Sequence, residues 1–201
     1  MKKYFFIPVA MVLSVALHSQ NQQQAKWEKE YDNVDACSCG LAKVEKNGKH
    51  GFVTEQGKLV VPLIYDEALA FTEGKAGVMI GNKWGFIDST GKELVKLQYS
   101  DVSSFSEGMA KVALNNSYGF IDSTGKVVIQ LQYTNATHFR AGLAGVSNAK
   151  MKWGFIDKTG SIVIPFTYSF AQEFMEGNAH VMKEGKWFYI DRNGKITKEG
   201  E

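Results

Sequence analysis

An all-β fold of tandem antiparallel meanders follows from three features of this chain. A four-residue phrase recurs at a fixed interval, each copy is bracketed by turn residues, and no stretch beyond the first twenty residues has sustained helical periodicity. The clearest copies are Gly85-Phe86-Ile87-Asp88, Gly119-Phe120-Ile121-Asp122 and Gly154-Phe155-Ile156-Asp157. Gly51-Phe52-Val53-Thr54 and Phe188-Tyr189-Ile190-Asp191 are worn copies, and the successive steps are 34, 34, 35 and 34 residues. A period in that range marks a repeat architecture, in which each unit buries its apolar face on its neighbours.

The second repeat gives the order of elements. Tyr65-Asp66-Glu67 opens it, Phe71 follows, and Glu73-Gly74 makes a bend. Ala76-Gly77-Val78-Met79-Ile80 reads as a strand, and Gly81-Asn82 supplies the positive φ of a tight hairpin turn. Lys83-Trp84-Gly85-Phe86-Ile87-Asp88 is the next strand. In Asp88-Ser89-Thr90-Gly91 the Asp stands first and the Gly fourth, as a type I turn prefers. Lys92-Glu93-Leu94-Val95 begins a third strand, and the Tyr-to-Phe segment could supply a fourth. A meander this small cannot stand alone in water, so neighbours must cover it.

Counting from the tyrosine divides the chain into units 31–64, 65–98, 99–132, 133–167 and 168–201. The sixth position after each tyrosine holds Cys37, Phe71, Phe105, Phe139 and Phe174, and the bend glycine is Gly40, Gly74, Gly108, Gly142 and Gly177. Five such units fit a closed, propeller-like ring, which hides sheet edges, or an open hairpin solenoid with worn end units. We expect a strongly curved array, with closure slightly ahead of the solenoid.

The start of the chain reads as an export signal. Met1-Lys2-Lys3 is basic, Tyr4 to Leu17 is apolar around Pro8, and Leu17-His18-Ser19 offers a small-residue cleavage site. The expected organisation is a signal peptide at 1–19, a polar lead-in at 20–30 and one repeat domain at 31–201. The apolar run is short for a membrane span, and no second one follows. Removing Lys2 and Lys3 from 23 basic residues leaves 21 against 21 acidic ones. A neutral product lacks the basic footprint of nucleic-acid binding.

Lys83-Trp84-Gly85-Phe86-Ile87-Asp88 and Lys152-Trp153-Gly154-Phe155-Ile156-Asp157, each followed by a Thr-Gly turn, resemble the WG repeat of bacterial proteins. Phe105-Ser106-Glu107-Gly108-Met109-Ala110-Lys111-Val112 matches its downstream portion. The resemblance spans nearly the whole chain after the lead-in. The departures are His50 and Tyr118 in Trp positions and Phe188 in a Gly position. It implies an all-β array used in exported or envelope-associated proteins, and it implies no catalytic residue.

Two repeated positions invite a chemical reading. His50, Trp84, Tyr118, Trp153 and Trp187 could form a row of platforms for sugars or peptides, but large aromatics at repeat spacing are better explained as an interlocking core. Asp88, Asp122, Asp157 and Asp191 could line a metal or acid–base site. Each instead begins a turn ending in Gly91, Gly125, Gly160 or Gly194, which accounts for every copy. Glu73, Glu107 and Glu176 read as bend chemistry or exposed surface. Among residues outside the repeat pattern, Cys37 fills a Phe position and reads as a small buried hydrophobe. It could pair with Cys39 in an oxidising compartment if the chain bent locally.

No cofactor motif, nucleophile elbow or metal-ligand spacing is present in the sequence. The expected function is an exported, non-catalytic binding or scaffold module for a protein, peptide or glycan. The alternative is an envelope polysaccharide or peptide hydrolase with a carboxylate-lined cleft. The binding face is expected at positions that vary between units: Glu67-Ala68-Leu69, Ser103-Ser104, Asn135-Ala136-Thr137-His138 and Ala171-Gln172-Glu173.

Overall fold

The computed structural model describes residues 26–200, so the signal-peptide reading lies outside the described residues. Those residues form five four-stranded antiparallel sheets in tandem, each a meander in chain order. The first holds β1 (Asn33–Val34), β2 (Leu41–Lys46), β3 (Lys49–Thr54) and β4 (Leu59–Tyr65). The second holds β5 (Glu67–Ala68), β6 (Lys75–Ile80), β7 (Lys83–Asp88) and β8 (Glu93–Tyr99). The third holds β9 (Asp101–Val102), β10 (Met109–Leu114), β11 (Ser117–Asp122) and β12 (Val127–Tyr133). The fourth holds β13 (Asn135–Ala136), β14 (Leu143–Ser147), β15 (Trp153–Asp157) and β16 (Ile162–Tyr168). The fifth holds β17 (Phe170–Ala171), β18 (Ala179–Lys183), β19 (Lys186–Ile190) and β20 (Ile196–Glu199). The Tyr-to-Phe segment thus supplies the fourth strand. From Tyr65 on, each of these tyrosines closes a sheet instead of opening one, since Tyr99 pairs with Trp84, Tyr133 with Tyr118 and Tyr168 with Trp153.

Three turn types set the strand lengths. At the bend, Thr72 and Lys75 exchange both backbone hydrogen bonds around Glu73 (φ 50°) and Gly74 (φ 73°), a two-residue hairpin turn with two left-handed residues. The β6–β7 turn is clamped by Asp66, whose Oδ2 accepts the Gly81 N–H at 2.7 Å. After β7, the Gly91 N–H donates to the Asp88 carbonyl at 2.9 Å, and Gly91 itself is left-handed. That is a type I turn followed by a glycine bulge.

The glycine of each Trp-Gly pair has a steric cause. A Cβ on Gly119 would lie 2.5 Å from the Ile129 carbonyl oxygen, and one on Gly154 2.6 Å from that of Ile164. The last strand of the sheet bulges towards this point, with the register slipping between Tyr118 and Phe120 and between Trp153 and Phe155. In the fifth sheet Phe188 fills the position, and the register runs unbroken from Phe188↔Glu199 to Tyr189↔Lys198.

The chain divides between Ile64 and Tyr65 into two compact blocks. Within the second block, successive sheets pack face to face. One face of a sheet carries the Phe of Gly-Phe-Ile-Asp. It meets small residues of the next sheet, as Phe86 and Val95 meet Ala110, Val112 and Ile121. The interlock is aromatic. Phe86 packs edge-on to Phe105 at 5.1 Å, Phe120 to Phe139 at 4.8 Å and Phe155 to Phe174 at 5.0 Å. Phenylalanine therefore carries most of what was expected of tryptophan. Trp153 is buried, but Trp84 is half-buried at the rim of its cluster. In the first block Ala42, Val44 and Val53 form the core, covered by Trp27, Tyr31, Val34 and Leu63.

Candidate functional site

On the fifth sheet, the face that carries the buried phenylalanine in the preceding sheets is partly open. Cross-strand pairing puts Phe170, Met182 and Trp187 in one row of this face, and His180, Tyr189 and Lys198 in the next. Tyr189 occupies the position of Phe86, Phe120 and Phe155. Those three are at most 1 % exposed, whereas Tyr189 is 36 % and Phe170 42 % exposed. His180 stacks between Trp187 at 4.4 Å and Tyr189 at 4.5 Å, and Phe170 bridges Trp153 and Trp187 at 5.9 and 5.7 Å. The His180 Nε2 is buried without a hydrogen-bond partner. Lys198 lies 6.0 Å over the Tyr189 ring. Five neighbouring aromatic rings, two of them well exposed, form a surface suited to stacking and apolar contact.

A second concavity belongs to the first sheet. It is a cleft of about 240 Å³ lined by Trp27, Val34, Cys37 and the carboxylates Glu28, Asp35 and Glu55, among others. Asp35 is held by Lys43 at 3.0 Å, and the Cys37 thiol donates to Glu55 Oε1 at 3.7 Å. Desolvation pushes the Cys37 thiol up, and the Glu55 carboxylate adds to the shift. Such a thiol is a poor nucleophile and a poor soft-metal ligand.

The repeat aspartates act on their own turns. Asp122 Oδ1 accepts the Thr124 N–H at 2.9 Å, the Thr124 hydroxyl at 2.6 Å and the Lys126 N–H at 3.1 Å. Asp88 and Asp157 make the same three contacts, and Asp191 makes the two backbone ones. Hydrogen bonds from the threonine hydroxyls are the main cause holding Asp88, Asp122 and Asp157 below their ordinary pKa. Gly91, Gly125, Gly160 and Gly194 each occupy the left-handed position of these turns.

Two expectations need correction. Cys37 and Cys39 are both exposed and are not bridged to each other. Phenylalanine at the sixth position packs on the repeat before it, and among the described residues none precedes the first, so Cys37 has no such aromatic to meet. The variable segments are only partly accessible. Ala68, Ala136 and Ala171 are buried because alternate residues of these short strands face the core, and Ser103, just past β9, is buried with its hydroxyl accepting the Lys111 N–H at 3.0 Å. The aromatic face escaped sequence reading because its residues occupy ordinary repeat positions. The signal was available in Tyr189, which replaces a phenylalanine, and in His180, a ring where the other units carry Lys or Gly.

The WG containing repeat matches the chain in five successive stretches, 28–49, 51–84, 84–118, 118–149 and 153–187. The chain belongs to the WG repeat family. No curated protein matches it. Among solved structures, the computationally designed Ika8 protein is similar at TM-score 0.52 and 12 % identity, over 83 % of this chain and 61 % of that one. Hsv2 of Kluyveromyces lactis is similar at TM-score 0.51 and 11 % identity, over 80 % and 60 %. The WD40 β-propeller domain of Doa1 aligns more loosely, at TM-score 0.44 and 9 % identity, over 84 % and 69 %. The WG repeat chain thus spans about three-fifths of the length of Ika8 and Hsv2, and the likeness to them is one of fold. Among the described residues, no helix is long and apolar enough to cross a membrane.

Proposed function

We propose that this WG repeat chain is exported and works, without catalysis, as a binding scaffold whose contact surface is the outer face of the fifth sheet. The observation that carries this reading is the exposure of Tyr189, where the repeat pattern elsewhere buries a phenylalanine, beside a similarly exposed Phe170. The basic and apolar start of the sequence supports export. The repeated aspartates are engaged in their own turns, which supports a structural use of the most abundant candidate carboxylates. The partner is a protein, peptide or glycan that can cover stacked aromatic rings.

Affinity capture from envelope extracts, with the protein beginning near Gln20 as bait, tests this reading. The unaltered bait should retain a partner that a Phe170→Ser, Tyr189→Ser bait loses while keeping its melting temperature. Equal capture by both baits would remove the aromatic face from the account. The first-sheet cleft favours a second reading as a glycan or peptide hydrolase, because Glu28, Asp35 and Glu55 share its wall. Cleavage of an envelope polymer that is lost in Glu55→Gln would establish it.

A further inference from the structure

A second recurrent arrangement is built into the row of bends. Glu73 and Glu107 occupy left-handed backbone positions at φ 50° and 54°, a conformation unfavourable for a side chain with a Cβ. Their carboxylates have a use there. Glu73 Oε2 accepts the Gly108 N–H at 2.9 Å, and Glu107 Oε2 accepts the Gly142 N–H at 2.9 Å. Each acidic bend residue therefore docks onto the bend glycine of the following repeat. In the second case a cation completes the cradle. Lys158 Nζ lies 3.4 Å from Glu107 Oε2 and donates to the Glu107 carbonyl at 2.7 Å.

The same cradle recurs one repeat later without its acid. Ala141 stands where Glu107 would be, and it keeps the left-handed conformation at φ 52°. Gly177 holds the position of Gly142 and is also left-handed, and a Cβ there would meet nothing within 4 Å, as at Gly108. Arg192 holds the position of Lys158. Its Nη2 lies 3.2 Å from where a Cβ on Gly142 would sit, so the guanidinium stays against this bend. Among the described residues, no carboxylate accepts the Gly177 N–H. Arg140 and Arg192 are the only arginines of the chain; Arg140 starts the bend that Arg192 lies against, and its Nε is 3.8 Å from Glu173. Neighbouring acids do not close it. Glu173 is engaged by His138 at 3.1 Å and Arg140 at 3.8 Å. Glu176 precedes Gly177 just as Glu107 precedes Gly108, which still receives Glu73.

We infer that the corner formed by Gly177, Arg192 and Arg140 binds a glutamate side chain of a partner peptide, in the place that Glu73 and Glu107 fill from within the chain. The natural occupants of the two intact cradles are glutamates on a peptide backbone, and arginine forks match carboxylates better than lysine does. The inference stands apart from the aromatic face, since neither Tyr189 nor Phe170 belongs to this corner.

The test is an NMR titration of the full exported chain with N-acetyl-Gly-Glu-Gly-amide. The Gly177 amide should move downfield and saturate, with the Arg192 Nε–H following, while the Gly108 and Gly142 amides stay in place. Arg192→Gln should weaken the response at least tenfold. Ala141→Glu, which supplies the acid internally, should shift Gly177 before any peptide is added and abolish the titration. An unmoved Gly177 overturns the inference, as does an equal response to the neutral control N-acetyl-Gly-Gln-Gly-amide. Unchanged binding by Ala141→Glu also overturns it, and a response to galacturonate alone replaces the peptide with a sugar acid. Any of these results would leave the aromatic-face reading intact.

Discussion

In the first sheet the face formed by Ala42, Val44 and Val53 is covered by Trp27, Tyr31, Val34 and Leu63, whereas the outer face of the fifth sheet leaves Phe170 and Tyr189 in contact with solvent. Both are end repeats in sequence, and both depart from the repeat pattern, but in opposite senses. The first adds a helical turn at 26–28 that brings Trp27 over Gly57 and the sheet core. Among the described residues the last adds no such cover; it carries Tyr189 where the other sheets bury a phenylalanine, with His180 and Trp187 stacked beside it. Exposed aromatic rings are the residue type enriched at recognition surfaces, and Tyr, Trp and His add a polar group that can stay wet. The difference teaches that a worn repeat can be a cap or a contact surface, and that burial distinguishes the two.

The sharpest way to break this comparison is to delete the same repeat position in two places. Phe155→Ala should destabilise the protein by about 3–5 kcal/mol, as is usual for a fully buried large aromatic. Tyr189→Ala should cost about 1 kcal/mol or less, because the ring is already partly solvated. Chemical denaturation of both variants measures the gap, and equal losses would mean that the outer face is core.

A smaller effect is expected at the first sheet. Trp27→Ala should cost about 2 kcal/mol from lost apolar burial and should increase binding of a hydrophobic dye to the folded protein. Trp187→Ala should leave dye binding nearly unchanged. No rise in the Trp27 variant would show that the first sheet needs no cap.

The smallest effect separates the internal turns from the last one, where Asn193 replaces the threonine. Asp122 has its pKa lowered, chiefly by the Thr124 hydroxyl. A depressed folded value means that the turn's contribution is complete above the ordinary Asp value of 3.8 and is lost as pH falls through the lower folded value. Thr124→Val should therefore shrink the loss of stability on acidification below that range. Asn193→Thr should slightly increase it by adding a hydroxyl bond to Asp191. Melting temperatures across the acid range would show both signs, and identical profiles would remove the hydroxyls from the account.

Much of the fold was legible because the repeat multiplies each local signal. The Asp-x-x-Gly turns, the bend glycines and the Trp-Gly close approach each occur several times, and each has a backbone cause that sequence alone exposes. The first cysteine was misread because position in a repeat predicts burial only where a neighbouring repeat supplies the other half of the contact. Glu73 and Glu107 read as bend chemistry or exposed surface, and their role across repeats was hidden because their partners, Gly108 and Gly142, lie 35 residues away and offer only a backbone N–H. Tryptophan was overvalued for a related reason. Size suggested the interlock, but the cross-repeat contact falls to the Phe two residues later in the strand, and the Trp position sits nearer the sheet rim. The candidate surface was least visible, since it arises from which face of the fifth sheet remains open, a property of packing and not of any motif.

Thiol accessibility tests the open outer face most directly. In a background with Cys37 and Cys39 changed to serine, single cysteines would be placed at Tyr189 on the outer face and at Val181 on the inner face of the same sheet. Maleimide labelling of the native protein is then followed at a concentration where it is monomeric. The account predicts that Tyr189→Cys reacts close to the rate of an unfolded control, while Val181→Cys is slowed by roughly two or more orders of magnitude, because its reaction waits for the sheet to open. Protection of Tyr189→Cys to the same degree as Val181→Cys would contradict the open face and the binding role built on it.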